Sequence, residues 1–361
     1  MSETTFAWGS ELAVQMWSPA LAVEAPKFQY TNRFMGTGKD ACIRMLKELE
    51  KKAGEKITYG LREKLSGEGI EGDNDIEGTG AEEGLNFHPD SLFVDQIRKG
   101  TKSKGKMSEQ RVLYNIRKES KDALAVWFGE WYDEQVFMYL SGARGVDTSF
   151  KVSLAFTGRA NNSLEAPDAS HLLYGGNATA KADVDSSDTM SLTVVEKLLA
   201  HSKTTDPMIQ PLMFNGKQHF VLTMHTFQAY QLRTSTTTND WVDIQKNAGE
   251  RGLKNPVFQD ALGIYGGVIL HEHRNIIRFD DYGGGGNLPA ARALFLGAQA
   301  GVIAWGGDGS KNRYSWNEET DDRGNKPVIT AGTICAVKKC VFNSKAFGVI
   351  AVDTYCANPN A

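Results

Sequence analysis

The chain has 361 residues, with 40 basic against 44 acidic side chains, a formal charge of −4, 41% hydrophobic and 10% aromatic residues. That much apolar material builds one large core or two to three smaller ones, and the near-neutral balance excludes binding of nucleic acid through bulk positive charge. No apolar run approaches the roughly 18 residues that span a bilayer, and residues 1–10 lack the basic start and apolar core of a signal peptide, so a chain soluble where it is made, with no membrane partner, is expected. Cys42, Cys335, Cys340 and Cys356 have neither C-x-x-C nor zinc spacing, which predicts reduced, buried thiols.

Residues 1–35 carry Val14, Met16, Trp17, Pro19 and Pro26 without a regular apolar period, which predicts an arm that needs a surface to lie on. At 40–52, Ile43, Leu46 and Leu49 recur on one side before Gly54, and a short amphipathic helix is expected. Residues 56–106 read as an extended excursion. A strand over 56–65 is followed by a turn region punctuated by Gly69, Gly72 and Gly84, and a second strand returns over 91–97. A two-stranded arm of that kind buries too little to stand alone, so it is expected to lie on its own body or on a neighbouring copy.

The turn region holds Glu68, Glu71, Asp73, Asp75, Glu77, Glu82 and Glu83 with no basic residue among them, and Arg98, Lys99, Lys102, Lys104 and Lys106 follow it. Opposite patches steer encounter and set register. One copy's acidic tip is therefore expected to meet another copy's basic cluster; the plainer reading of the same charges is a solvated loop and a solvated helix start.

From Met107 the pattern becomes helical. Val112, Leu113, Ile116, Ala123, Leu124, Trp127, Trp131 and Leu140 recur at three- and four-residue steps, predicting one helix capped by Ser108 and stopped by Gly142. Some 34 residues at about 1.5 Å each make a rod of roughly 50 Å, long enough to serve as a spine. Residues 143–188 turn polar and read as loops joining two lobes. A buried helix from Thr189 to 203, a strand over 217–225, helices over 226–233 and 240–247, and a strand over 264–273 are expected next. The segment 289–305 is apolar almost all round and predicts a buried helix; strands return over 328–330, 333–337 and 347–354. Alternation of this kind packs most simply as a mixed sheet flanked by helices, an α+β class.

Little in the sequence points to catalysis. His271 and His273 lie two apart on the expected strand and would share one face, but no third ligand has a recognisable spacing, so they are expected to be partly exposed strand histidines. Residues 73–78 open like a calcium loop, yet Gly84 stands where the bidentate glutamate belongs. Gly36, Gly38 and Lys39 lack the first glycine and the Ser/Thr of a phosphate loop, and Gly283, Gly284, Gly285 and Gly286 suggest a mobile loop. There is no nucleophile elbow. Accordingly no catalytic residue, metal ligand or cofactor is expected.

Three ordered blocks, 56–61, 67–74 and 103–111, together with 291–300 and 347–354, resemble a family of tailed-bacteriophage major capsid proteins best known from podophages, over roughly residues 28–356. The resemblance implies the HK97-like capsid fold, with an N-terminal arm and short helix (1–55), an extended β-hairpin loop (56–106), a peripheral domain with the spine helix and a connecting loop (107–189), an axial domain (190–310) and return strands of the peripheral domain (311–361). It implies no enzyme but an assembling protein, whose hexamers and pentamers close an icosahedral shell around double-stranded DNA in the virion after assembly in the host cytoplasm. A scaffolding protein and a portal are the partners it implies, and it leaves open whether a decoration protein joins them. An encapsulin-like compartment is the alternative within the fold, and a soluble hydrolase with a scattered site the alternative of another class.

Overall fold

A computed structural model of the chain describes residues 11–49, 54–62, 65, 68–77, 82–111, 115–214, 216–234, 261–307 and 313–359. The expected helix at 240–247 lies outside the described residues.

Two sheets share the spine helix Ile116–Ser141. Asn115 caps it, its side chain accepting from the N–H groups of Arg117 and Lys118, and Gly142 ends it in the left-handed region at φ 68°. The helix therefore starts later than the Ser108 cap predicts, and a separate short helix Lys106–Gln110 precedes it. Its 26 residues make a rod of about 39 Å. Every residue from Trp131 to Ser141 is buried, because layers close over all sides of that half.

The first half of the spine is covered by the helix Glu11–Phe28, where the sequence suggested an irregular arm. It buries Leu21 and Ala25, one turn apart, against the spine. A side chain at Gly129 would meet Phe28 Cβ at 2.9 Å and the Ala25 carbonyl at 3.1 Å, so glycine lets the two helices approach. Lys121 on the spine also pairs with Glu24 at 2.9 Å. Tertiary packing thus stabilises a helix whose two internal prolines argue against it locally.

The six-stranded sheet runs in the order Met35–Gly36, Ile43–Leu46, Gly301–Trp305, Lys326–Lys339, Tyr314–Asp321, and Asp95–Lys102 pairs with the long strand Lys326–Lys339. Ile43–Leu46 is a parallel neighbour of Gly301–Trp305, so the short helix expected at 40–52 is instead a strand. The eight-stranded sheet runs Gly263–Tyr265, Val268–Glu272, Lys217–Met224, Leu288–Leu296, Val349–Tyr355, Leu172–Tyr174, with Leu212–Phe214 and Arg278–Tyr282 attached. The helix Leu192–Thr204 contributes Val194, Val195, Leu198 and Leu199 to its core, and Thr226–Thr234 adds Ala229 and Leu232; both were expected as helices.

The segment 289–305 is not a helix. It forms Leu288–Leu296 in the eight-stranded sheet and Gly301–Trp305 in the six-stranded one, each buried on both faces, which explains an apolar run without alternation. The chain crosses between sheets there and crosses back before Val349–Tyr355. At this double crossing Gly297 N–H donates to the Gly348 carbonyl at 2.9 Å; a Cβ on Gly297 would lie 2.4 Å from the Gln210 carbonyl and one on Gly348 2.6 Å from the Ala298 carbonyl. The last strand therefore belongs with the sheet of residues 212–296 rather than with the return strands expected at 311–361, and Gly301–Trp305 belongs with the other sheet. Gly283 to Gly286 close a tight turn between Arg278–Tyr282 and Leu288–Leu296, not a mobile loop.

A buried charge group ties the eight-stranded sheet to the spine. Arg292 holds Asp353 with two bonds of 2.7 Å and donates to the Ser141 carbonyl at 3.0 Å, while the Tyr282 hydroxyl donates to Asp353 at 2.5 Å. The cation thus also faces the negative end of the helix dipole. All four cysteines are free and buried, and no helix among the described residues is long and apolar enough to cross a membrane.

Candidate functional site

The arm leaves the body after Gly54 and returns at Val94. Its strands Lys56–Arg62 and Phe87–Phe93 pair antiparallel, placing Ile57 opposite Leu92, Tyr59 opposite Asp90 and Gly60 opposite Pro89. Opposite residues share a face, so the strand period of two gives the arm two unlike sides.

The inner side is docked on the body. Ile57 and Leu92 are buried with Phe342 and Phe347. The Tyr59 hydroxyl donates to Asp90 at 2.7 Å, and the Lys338 ammonium donates to Asp90 at 2.5 Å and to the Ser91 carbonyl at 3.1 Å. Burial pushes the Tyr59 hydroxyl well above its usual range, so it stays protonated and keeps donating. The hairpin also ends earlier than the sequence suggested, because after Val94 the chain enters the six-stranded sheet as Asp95–Lys102.

Beyond the root the described residues of the arm, Ile70 apart, are exposed. Glu68, Glu71, Asp73, Asp75 and Glu77 all face solvent; the sequence did place these acids together at the tip. Of the predicted cations, Arg98, Lys99 and Lys102 lie on the strand Asp95–Lys102 rather than at the start of the spine, Lys104 sits in the turn after it, and Lys106 opens the short helix; all are exposed. Lys102 pairs with Asp321 at 2.5 Å, and the Lys99 ammonium lies 5.5 Å from the Trp127 ring centroid. Among the described residues no ion pair joins one of the five acids to one of the five cations. The strand Asp95–Lys102 pairs with Lys326–Lys339 on one side, and no second strand pairs with it among the described residues.

Charge was the signal the sequence offered, and it hid an apolar one. Leu65, Ile76, Leu85 and Phe87 on the arm are between 54% and 66% exposed, and Met107 beside the cations is 64% exposed.

The groups that could suggest catalysis are otherwise engaged. His271 is fully buried, not partly exposed, and meets the Tyr30 hydroxyl at 2.9 Å through Nδ1. The His273 ring packs between Tyr30 and Phe137, and Glu272 pairs with Arg233 at 3.3 Å. Against the end of the strand Val268–Glu272 the two histidines hold the turn Tyr30–Phe34. On its other side Asp133 accepts from the N–H groups of Tyr30 and Thr31 and from the Thr31 hydroxyl at 2.7–2.8 Å; burial, opposed by these bonds, pushes its carboxyl up to about 6. Ser170, His171 and Asp168 come together, but Ser170 Oγ and Asp168 Oδ1 both meet His171 Nδ1, at 3.0 and 2.8 Å. A proton relay needs them on opposite ring nitrogens. Among the described residues no cluster of three metal-ligating side chains occurs.

Residues 5–358 match the family described as phage capsid protein. The chain is 27% identical to the major capsid protein of Pseudomonas phage KPP25, over 97% of this chain and 96% of that one. It is 41% identical to the capsid of Ralstonia phage GP4, with a TM-score of 0.88 and full coverage of both chains. The cyanophage Pam1 capsid asymmetric unit shares the fold at a TM-score of 0.71 and 21% identity, over 91% of this chain and 93% of that one.

Proposed function

Because the chain belongs to the phage capsid protein family, it is a major capsid protein of the virion shell with the HK97-like fold and not an enzyme, and we propose that its copies assemble through the arm. Hexamers and pentamers of the chain close an icosahedral shell around the double-stranded DNA of a tailed phage, after assembly in the host cytoplasm. The six-stranded sheet and spine helix form the peripheral domain of each capsomer subunit, and the eight-stranded sheet forms the axial domain. Scaffolding and portal proteins are its further partners.

One observation carries this reading: a rigidly rooted arm presents Glu68, Glu71, Asp73, Asp75 and Glu77 to solvent, while the same fold presents Arg98, Lys99, Lys102, Lys104 and Lys106 elsewhere. Surfaces that match but are not joined within one chain are suited to joining two. A patch that meets a different patch on the next copy makes a heterologous contact, which closes into rings when the rotation allows. Contacts that are individually weak then hold a durable shell because each subunit makes several. Charge reversal of Lys102, Lys104 and Lys106 to glutamate tests it. Folded subunits that no longer form capsomers by electron microscopy are expected; normal shells from that variant would refute the role of the cations.

A further inference from the structure

We propose that the outward face of the arm, Phe87 and Pro89 with Leu85 just before them, is an apolar anchor that seats on the Met107 corner of a second copy. This rests on the reading of the arm as the inter-subunit element and assigns where its binding strength resides.

The face follows from the register. Phe87 and Pro89 stand opposite Arg62 and Gly60, so they lie on the side away from the buried pair Ile57 and Leu92. Leu85 lies two residues before the strand Phe87–Phe93 begins. All three are exposed, as are Thr58 and Gly60 on the partner strand, while Ile57, Tyr59, His88, Asp90 and Leu92 of the alternate set are buried or half-buried. Gly60 leaves the surface beside Pro89 flat. Scattered exposed apolar residues are ordinary, but Phe87, 61% exposed beside Pro89 on one strand face, with Leu85, 54% exposed, just before it, is a surface built for contact.

The occupant is identified by complementarity. An arm bordered by acids fits an apolar spot bordered by cations, and this chain carries one: Met107, 64% exposed, follows Lys104 and Lys106, next to the strand Asp95–Lys102 whose second edge no strand of the described residues covers. An extended arm can lie along such an edge by strand addition, with pockets for alternate side chains supplying specificity. In such a contact the charges set register and encounter rate, while the desolvated aromatic and its neighbours supply the affinity.

Two experiments on the full-length chain test this. Phe87→Ser is expected to leave the thermal unfolding of the subunit unchanged and to raise the concentration needed for shell assembly at least about tenfold, at low and high salt alike, with Phe87→Leu restoring assembly. Phe87→Cys combined with Met107→Cys is expected to form disulfides between subunits on oxidation of assembled shells; the native cysteines are buried and leave little background. If Phe87→Ser assembles like the natural chain while reversal of Lys102, Lys104 and Lys106 blocks assembly, the anchor is refuted and the arm reading stands. If both variants assemble normally, the arm reading fails as well. Impaired assembly by Phe87→Ser, with no disulfide forming between subunits in the double-cysteine variant, would overturn the Met107 corner as the seat.

Discussion

At the arm's root, Ile57 and Leu92 are buried and Asp90 is held by Tyr59 and Lys338, whereas farther out Ile76, Leu85 and Phe87 stand in solvent among acids. Both halves belong to one hairpin, the outer rich in glycine and acids and the root in apolar residues. The inner half is packed against its own chain, so its residues contribute to folding; the described residues of the outer half, Ile70 apart, are exposed, so burial by another copy is where they contribute most. Stability and assembly should therefore be separable by mutation along a single excursion of the chain.

The body offers the sharpest contrast to the outer arm. Asp353→Ala leaves the Arg292 guanidinium buried and unpaired beside Tyr282, and should lower the unfolding free energy by about 3–5 kcal/mol in urea titrations. Next in size, Leu92→Ala at the root should cost about 2–5 kcal/mol. It should also expose the arm, so that protease cleaves within 56–93 faster than in the natural chain; an unchanged cleavage rate would mean the root is not what fixes the arm.

A pH titration separates the body from the arm in another way. His225 is 4% exposed and accepts from the Phe227 N–H at 3.1 Å through Nδ1; burial, aided by the nearby Arg278, lowers it to about 4. A neutral, depressed histidine contributes stability that is fully present above its unfolded value near 6.5 and is lost as pH falls through 4. The loss reaches up to about 3 kcal/mol. Asp133, raised to about 6, acts in the opposite sense, its contribution falling as pH rises from about 4 to 6. The His225→Asn chain keeps an N-cap and cannot titrate, so comparing it with the natural chain between pH 7 and 4 isolates the histidine; equal slopes would contradict its buried neutral state. At the small end, replacing Glu68, Glu71 and Asp73 by lysine should shift subunit stability by no more than about 0.5 kcal/mol, while abolishing assembly.

The sequence made the same split partly legible. The spine helix showed through the spacing of Leu124, Trp131 and Leu140 and through Gly142, but its start was misplaced because Ser108 offers the same capping chemistry as Asn115, and only packing selects between them. Ile43 and Leu46 stand three apart, as on a helix, yet both are buried on a strand. The run 289–305 lacked alternation because both faces of its strands are covered, the one circumstance in which periodicity cannot tell strand from helix; Gly297 and Gly301 were the available hints. For the helix Glu11–Phe28 no local signal sufficed, since it exists by leaning on Gly129. On the arm, the acids and cations were visible as types, but the pair Phe87 and Pro89 was obscured by the surrounding glycines and acids until register fixed which side each faces.

The most direct test joins the arm's root without its outer half. With residues 63–86 replaced by a two-residue turn between Arg62 and residue 87, and Phe87→Ser added, the protein should unfold at the same temperature as the natural chain, and electron microscopy should find only unassembled subunits under conditions where the natural chain closes shells. Closed shells of the natural size from the shortened chain would contradict the account, because the outer arm would then not be what joins one copy to the next.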